Sequence, residues 1–240
     1  MAEHPDVQRF SRALEAPDDS SLQDLLADGA VWHGADSDGG GGSERSVSEV
    51  YADGVHTVAW LDRSANGRQE QQAVVFHMDG DKATEAWSIP TDAEIADALD
   101  HGHPVPDHRN LPVFRTAEET RGRNTFEPED LANISAFLRE DVKWISAWGP
   151  GPSSRDECIA QFQQFKAATG DTIHMDVFAT FADDKHAVSF VELKAGRPDK
   201  PDRRMDIKEV NLFHLDENGQ AYEFWGLQDD PAKTDEFWAP

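Results

Sequence analysis

The sequence predicts an α+β protein built from two related units, and three observations lead to this prediction. In each half of the chain, segments with helical periodicity come first and extended segments follow. Three sequence blocks recur in the same order in both halves. A segment rich in Pro and His separates the halves. We therefore predict a first domain over residues 1–100, a linker over 101–112 and a second domain over 113–240.

The recurring blocks indicate a duplicated domain, or tandem repeat. Self-similarity over so long a distance is not produced by the periodicity of a helix or a strand. Each block also keeps its place relative to the others, which a chance match would not. The matched segments are 22–32 with 134–144, 51–58 with 181–188, and 76–87 with 213–225.

The elements of the first copy follow from spacing, caps and turns. Val7, Phe10 and Leu14 fall on one helical face, and a second helix begins at the capping box Ser20-Ser-Leu-Gln23. Asn66-Gly67 and Asp79-Gly80 predict turns between neighbouring antiparallel strands. The predicted strands are 30–33, 55–61, 72–78 and 82–88.

The second copy repeats this order with an additional helix. The interval between the tryptophans that end two of the blocks is 55 positions from Trp32 to Trp87, and 81 from Trp144 to Trp225. The longer copy contains a Ser-x-x-Glu capping box at Ser154 and apolar residues at 159, 162 and 165, which predict a helix over 154–168. The first copy has a glycine-rich stretch there instead. The other predicted elements are helices at 113–119 and 128–138, strands at 172–182, 186–195, 204–215 and 220–227, and a short amphipathic end at 234–238.

The charge of the chain limits its partners. The net charge is −25, spread along the sequence, and such a surface repels nucleic-acid phosphates and anionic lipid. No apolar run is long enough to span a membrane, and the first residues lack the pattern of a signal peptide, so we expect a cytoplasmic protein. The acidity fits either a high-salt cytoplasm or an ordinary acidic protein.

The positions of the cysteine and the histidines in the sequence predict no metal site and no redox centre. Cys158 is the only cysteine and lies on the apolar side of a predicted helix, so we expect a buried small hydrophobe. The histidines of the linker lack helical ligand spacing, and prolines hold the segment extended. We predict no metal and no cofactor.

The two copies resemble the SnoaL-like branch of the nuclear transport factor 2-like superfamily. The resemblance rests on the segment Leu-Ala-Asp-Gly-Ala-Val-Trp-His33 and the turn Asp-Gly-Asp-Lys82-Ala-Thr-Glu-Ala-Trp87 in the first copy. In the second copy it rests on Glu-Asp141-Val-Lys-Trp144, the segment 183–188, Phe213-His-Leu-Asp-Glu-Asn-Gly219 and Asp235-Glu-Phe-Trp238. Together these motifs extend over nearly the whole chain.

The resemblance implies two cone-like, cystatin-like domains, each a curved antiparallel sheet packed on N-terminal helices with an apolar pocket at its open end. In this family the third helix forms a wall of the pocket, so the first copy, which lacks it, is expected to be degenerate. The second copy is expected to bind the ligand. Such domains pair through their sheets, which implies an intramolecular pseudo-dimer and leaves a further homodimer open.

The resemblance also gives positions at which to look for catalytic groups. Ketosteroid isomerase, a relative in outline, has its base just after the first strand, where this sequence has Gly34 and Ser146, and neither can abstract a proton. The acidic hydrogen-bond donor of that enzyme corresponds to Val74 and Asn211. Asn211 could donate a hydrogen bond to a substrate carbonyl, or it is a satisfied polar residue of the pocket wall.

Other candidates come from the residues themselves. His174 and Asp176 share one face of a predicted strand, so they form either a base with its orienting carboxylate or part of a sheet face packed on the first copy. The predicted ligand-binding residues are Trp144, Ser146, Trp148, Phe162 and Phe165, which could equally be core. Ser88 and Gly226 replace the acid of related polyketide cyclases.

We predict that the second copy binds a small, largely apolar organic molecule. Acid–base catalysis of the isomerase, cyclase or epoxide hydrolase type is an open extension, so whether the protein is an enzyme stays undecided at this point. The alternative is a non-catalytic binding or assembly module with a residual pocket.

Overall fold

A computed structural model describes residues 4–16, 20–33, 44–65, 68–90, 123–124, 127–146, 149–170 and 172–239. The chain divides into two compact units, Met1–Thr91 and Asp92–Pro240. The predicted linker 101–112, the predicted helix 113–119 and Trp148 lie outside the described residues.

The first unit packs a helix on one face of a five-stranded sheet. Its core includes Phe10 and Leu14 of the first helix and Val74 and Phe76 of the sheet, and all four are almost fully buried. The strand order is β1-β5-β4-β3-β2. The elements are α1 (Pro5–Glu15), α2 (Ser20–Gln23), β1 (Leu26–His33), β2 (Glu44–Ala52), β3 (His56–Ala65), β4 (Arg68–Asp79) and β5 (Lys82–Pro90).

The second unit has a larger sheet and more helices. Its strand order is β6-β9-β10-β11-β12-β7-β8. The elements are β6 (Arg123–Asn124), α3 (Pro128–Phe137), β7 (Leu138–Ser146), β8 (Gly149–Pro150), α4 (Arg155–Thr169), β9 (His174–Ala182), β10 (His186–Arg197), β11 (Lys200–Leu215), β12 (Ala221–Gln228) and α5 (Pro231–Trp238).

The α+β fold class is confirmed, with two corrections. Each sheet is mixed rather than antiparallel throughout, because β1 pairs with β5 in parallel and β7 pairs with β12 in parallel. The sequence analysis also missed β2. A β-bulge between Val47 and Glu49 breaks its alternation, so its apolar residues do not show the period of two on which strand prediction relies.

Equivalent turns hold equivalent strands in the two units. The carboxylate of Asp53 accepts hydrogen bonds from the backbone N–H groups of Val55 (2.8 Å) and His56 (2.6 Å). The carboxylate of Asp183 accepts from Lys185 and His186, both at 2.7 Å. The order of the five common strands is also the same in both sheets, with β1 to β5 corresponding to β7, β9, β10, β11 and β12.

The additional helix of the second copy is present as predicted. Ser154 caps α4 by accepting a hydrogen bond from the N–H of Glu157, and Gly170 ends the helix in the left-handed conformation. Within the described residues of the first unit, no helix lies between β1 and β2. In neither unit is any described helix long and apolar enough to cross a membrane.

We expect Cys158 to be unreactive in the folded protein. Its side chain is fully buried in the core of the second unit, and burial raises the pKa of its thiol to about 11. Because the thiolate is the reactive species, an aromatic disulfide reagent at pH 8 should label it only after denaturant is added. Immediate labelling of the native protein would contradict this burial.

We expect Gly170→Ala to destabilise the second unit by about 2 kcal/mol or more. Gly170 has a φ of +58°, and an added Cβ would lie 2.5 Å from Cγ of Pro198. Gly196→Ala is the matched control, because its Cβ would make only ordinary contacts from 3.5 Å outward. Equal denaturant midpoints for the two variants would contradict the prediction.

Candidate functional site

The candidate site lies on the face of the second sheet that packs against the helices, here called the inner face. On β11, Met205, Ile207, Phe213 and Leu215 belong to one core cluster that also contains residues of α3, α4 and α5. Side chains of a strand alternate between its two faces, so every odd-numbered position of β11 in this stretch faces the helices.

Two polar residues occupy the middle of this apolar series. Glu209 and Asn211 lie between Ile207 and Phe213 on the same face. They are two positions apart, which in a strand corresponds to about 7 Å between their Cα atoms. A carboxyl and an amide therefore share a surface that is otherwise apolar.

Small and polar residues continue from Asn211 across the neighbouring strands. Asn211 pairs with Ser189 of β10 and with Gly226 of β12, and paired residues share a face. Asn211 is 8% exposed and Ser189 is 6% exposed. We call this line the polar row, and its positions from β7 to β9 are Ser146, Gly226, Asn211, Ser189 and Thr180.

The carboxyl of Glu209 is the ionisable group of the site. An added Cβ on Gly226 would lie 3.5 Å from its Oε1, so the absent side chain of Gly226 leaves room beside the carboxyl. Burial raises the pKa of Glu209 to about 7, although a hydrogen bond from Gln228 opposes the shift. The nearby charge of Asp229 raises it further. Near neutral pH both the acid and the carboxylate are therefore populated.

The amide of Asn211 offers a free polar atom. Its Oδ1 is buried and accepts no hydrogen bond from the described residues. An unsatisfied buried polar atom costs free energy, about 1 to 3 kcal/mol, which a ligand hydrogen bond would recover. This end of the Asn211 amide has no hydrogen-bond partner among the described residues, and its role in ligand binding stays a prediction.

A chain of hydrogen bonds connects Glu209 to the last helix. The Nε2 of Gln228 donates to Oε2 of Glu209 at 2.6 Å. The hydroxyl of Thr234 donates to Oε1 of Gln228 at 2.8 Å. Thr234 lies on α5 and is fully buried. The Glu209 carboxyl is therefore connected to α5 by two hydrogen bonds in series, through Gln228 and Thr234.

The predicted aromatic residues form the apolar part of the same face. The ring of Trp144 lies 5.1 Å from that of Phe162 and 6.1 Å from that of Phe165. All three belong to the core cluster or pack against it. The backbone of Ser146 ends β7 opposite Gly226, at the edge of the polar row. Their roles in ligand binding stay predictions.

His174 and Asp176 do share a face, but it is the opposite one. His174 pairs with Lys194 and Asp176 with Glu192, whereas the inner-face residue between these partners is Leu193. Opposite faces of a sheet are separated by its backbone, so the register does not bring His174 or Asp176 together with Asn211.

The outer face also holds the recurring His and Glu residues. His214 and Glu223 are paired across β11 and β12, and Nδ1 of His214 lies 3.1 Å from Oε2 of Glu223. The rings of His186 and His214 stand perpendicular with centroids 5.2 Å apart. In the first unit, the rings of His56 and His77 have the same arrangement at 4.6 Å.

At the positions that correspond to Glu209 and Asn211, the first unit has Gln72 and Val74, so the described part of this face has no acid there. Along the corresponding line of its sheet stand Val50, Ala59, Val74 and Ser88. The one hydroxyl on this line accepts a hydrogen bond from Nε1 of Trp32 at 2.9 Å. This line is thus apolar except for the Ser88 hydroxyl, which has a hydrogen-bond partner.

Sequence reasoning found Asn211 but missed Glu209. The alternation of β11 points to Glu209, because this acid stands among apolar residues at the odd-numbered positions of the strand. An acid among core positions is unusual unless it is paired or functional. The family positions considered in the sequence did not include Glu209.

Part of the second unit is similar to a known protein family. The model of the SnoaL-like domain family matches residues 120–224. Bal32a from a soil-derived mobile gene cassette is 21% identical, with 55% of this chain and 99% of that chain covered at a TM-score of 0.44. A candidate SnoaL-like polyketide cyclase from Jannaschia sp. CCS1 is 17% identical, with 55% and 93% covered at a TM-score of 0.45. Curated protein sequences gave no match.

We expect Glu209 to make the stability of the second unit depend on pH. Between the ordinary pKa of 4.5 and the folded value of about 7, the folded state binds more protons than the unfolded state. The free energy of unfolding therefore falls as pH rises through this window. Relative to wild type, Glu209→Gln should gain at most about 3 kcal/mol between pH 4.5 and pH 7, less where solvent reaches the carboxyl.

Urea unfolding followed by the fluorescence of the tryptophans measures this difference. Glu217→Gln is the matched control, because Glu217 is an exposed residue in the turn between β11 and β12. If Glu209→Gln and Glu217→Gln follow the same pH dependence, the burial of the Glu209 carboxyl is refuted.

Proposed function

We propose that the second unit, whose residues 120–224 match the SnoaL-like domain family, binds a small, largely apolar organic molecule on its inner face and performs acid–base chemistry on it. The observation that carries the proposal is the pairing of a partly buried carboxyl, Glu209, with a buried amide, Asn211, on one face of β11. A ligand there would meet apolar rings on one side and a carboxyl with an amide on the other.

The chemistry of the pair favours a neutral carbonyl compound with an acidic C–H beside the carbonyl. The carboxylate of Glu209 takes the proton from carbon, the electron pair of the C–H bond forms a carbon–carbon double bond, and the π pair of the carbonyl moves to its oxygen. The NH₂ group of Asn211 donates a hydrogen bond to this oxygen as negative charge develops, whereas its Oδ1 stays available to a donor group of the ligand. The carboxyl exchanges its proton with solvent and then returns one to carbon, so the group ends as it began.

The pKa of Glu209 suits both steps. A general base is most effective when its pKa lies near the working pH, and burial raises that of Glu209 to about 7. An ordinary surface glutamate would be a much weaker base at this pH. The apolar surroundings also favour a neutral ligand over a charged one, because they would desolvate any charge it carried.

The second candidate function is binding without chemistry. It is favoured by the lack of an acid at the family positions Ser146 and Gly226. In that case Asn211 and Glu209 serve only to orient the ligand, and Glu209 can be replaced by a neutral hydrogen-bonding residue at little cost to affinity.

We expect the wild type to catalyse deuterium exchange at the α-carbon of 2-tetralone, a flat ketone with an acidic C–H. Glu209→Gln should slow this exchange by about a hundredfold or more, since general-base catalysis contributes 10²–10⁴. Mass spectrometry of the ketone in D₂O near neutral pH measures the rate. Asn211→Leu should slow it as well, by removing the hydrogen bond to the oxygen.

Binding is measured separately by the thermal shift with 2-tetralone and with tetralin, which lacks the oxygen. Stabilisation by 2-tetralone without exchange supports the second candidate function. The proposal is overturned if neither compound stabilises the wild type, or if Glu209→Gln exchanges deuterium at the wild-type rate.

A further inference from the structure

We propose that Thr234 is a positioning residue for Glu209, because its hydroxyl fixes the amide of Gln228 with the nitrogen directed at the carboxyl. This inference rests on the proposed function of Glu209 as the acid–base group. Thr234 and Gln228 both lie outside residues 120–224, so the arrangement belongs to this chain's own C-terminal segment rather than to the matched family region.

The direction of the hydrogen bonds carries the argument. An amide has one acceptor end and one donor end, and a hydroxyl that donates to the oxygen determines which end is left for the other partner. Thr234 donates to Oε1 of Gln228, so the NH₂ group faces Glu209 and donates to its Oε2. All the atoms involved lie within 2.8 Å of their partners.

Helix α5 is held firmly enough to keep Thr234 in place. Phe237 of the same helix is buried in the core of the unit, and Trp238 stacks on Phe165 at 5.1 Å. Nζ of Lys233 donates to the carbonyl of Asp206 at 2.7 Å, and Nζ of Lys200 donates to the carbonyl of Ala239 at 2.8 Å. Both ends of the helix are thus tied to β11.

Loss of the Thr234 hydroxyl should change the pKa of Glu209 in a definite direction. A donor facing the carboxyl stabilises its charged form and so opposes the effect of burial on the pKa. Without the hydroxyl, the amide of Gln228 is free to turn and present its oxygen, which accepts a hydrogen bond from the protonated carboxyl. Removal of the hydroxyl therefore raises the pKa of Glu209.

The other groups around the Glu209 carboxyl do not reverse the direction of this pKa change. Asp229, which follows β12, is the charged neighbour that acts on Glu209, and it raises the pKa. Val191 and Gln228, which pair with Glu209 on β10 and β12, carry no charge. Lys233 and Asp230 act through Asp229, and none of these groups is altered by a change at Thr234.

The test is the titration of the Glu209 carboxyl by ¹³C NMR in the full-length chain, with Glu209→Gln used to assign the signal. Thr234→Val has nearly the same shape without the hydroxyl and should raise the pKa of Glu209 by about half to one unit. Thr234→Ser keeps the hydroxyl and should leave the titration within the error of wild type. The pH at which deuterium exchange of 2-tetralone is half-maximal should move with the titration.

Thr234→Ala provides a second hydroxyl-free variant in case Thr234→Val does not fold. An unchanged titration in whichever of these variants folds, or an equal shift in Thr234→Ser, overturns the role of Thr234. The titration needs no ligand, so a failure of the proposed function appears only as absent exchange, while a failure of this inference appears in the titration itself.

Discussion

The register between β10 and β11 is the constraint on which the rest of the second unit depends. It aligns twelve residue pairs from His186 to Arg197, and it decides which side chains meet the helices and which meet the outer face. A slip of one position would move Met205 and Ile207 out of the core and exchange the faces of every polar residue. The burial of these apolar side chains thus fixes the register of β11, and with it the face on which Glu209 and Asn211 lie, although neither residue belongs to that core.

Much of the architecture could be predicted from the sequence, since long periodic segments specify their own structure. Helix α4 and the strands β9 to β12 follow from capping residues, spacing and alternation. The segment of β2 could not be found this way, because its bulge shifts the apolar residues out of phase. Glu209 could be predicted as a site residue only if one knew which alternate positions of β11 face the helices, and this depends on partners distant in sequence. The partner of Asn211 across the sheet, Gly226, was noticed only as a departure from a family position.

The two units show how one topology accommodates two kinds of interior. In the first, Val74 and Ala59 occupy the middle of the inner surface and Trp32 satisfies the remaining hydroxyl. In the second, Asn211 and Ser189 stand at the matching pairs, and Glu209 lies beside them. The common strand order shows that these differences need no change of backbone. Substitution at a few inward positions is enough to turn a packed surface into one that carries an ionisable group.

The place of Thr234 in the chain has a consequence for biosynthesis. All the described strands of the second unit leave the ribosome before Thr234 does, so the sheet can assemble while Gln228 still lacks its hydroxyl partner. The residues of α4 are likewise made well before those of α5. On the proposed role of Thr234, the final pKa of Glu209 would then be set last, after the sheet has formed and once α5 has docked.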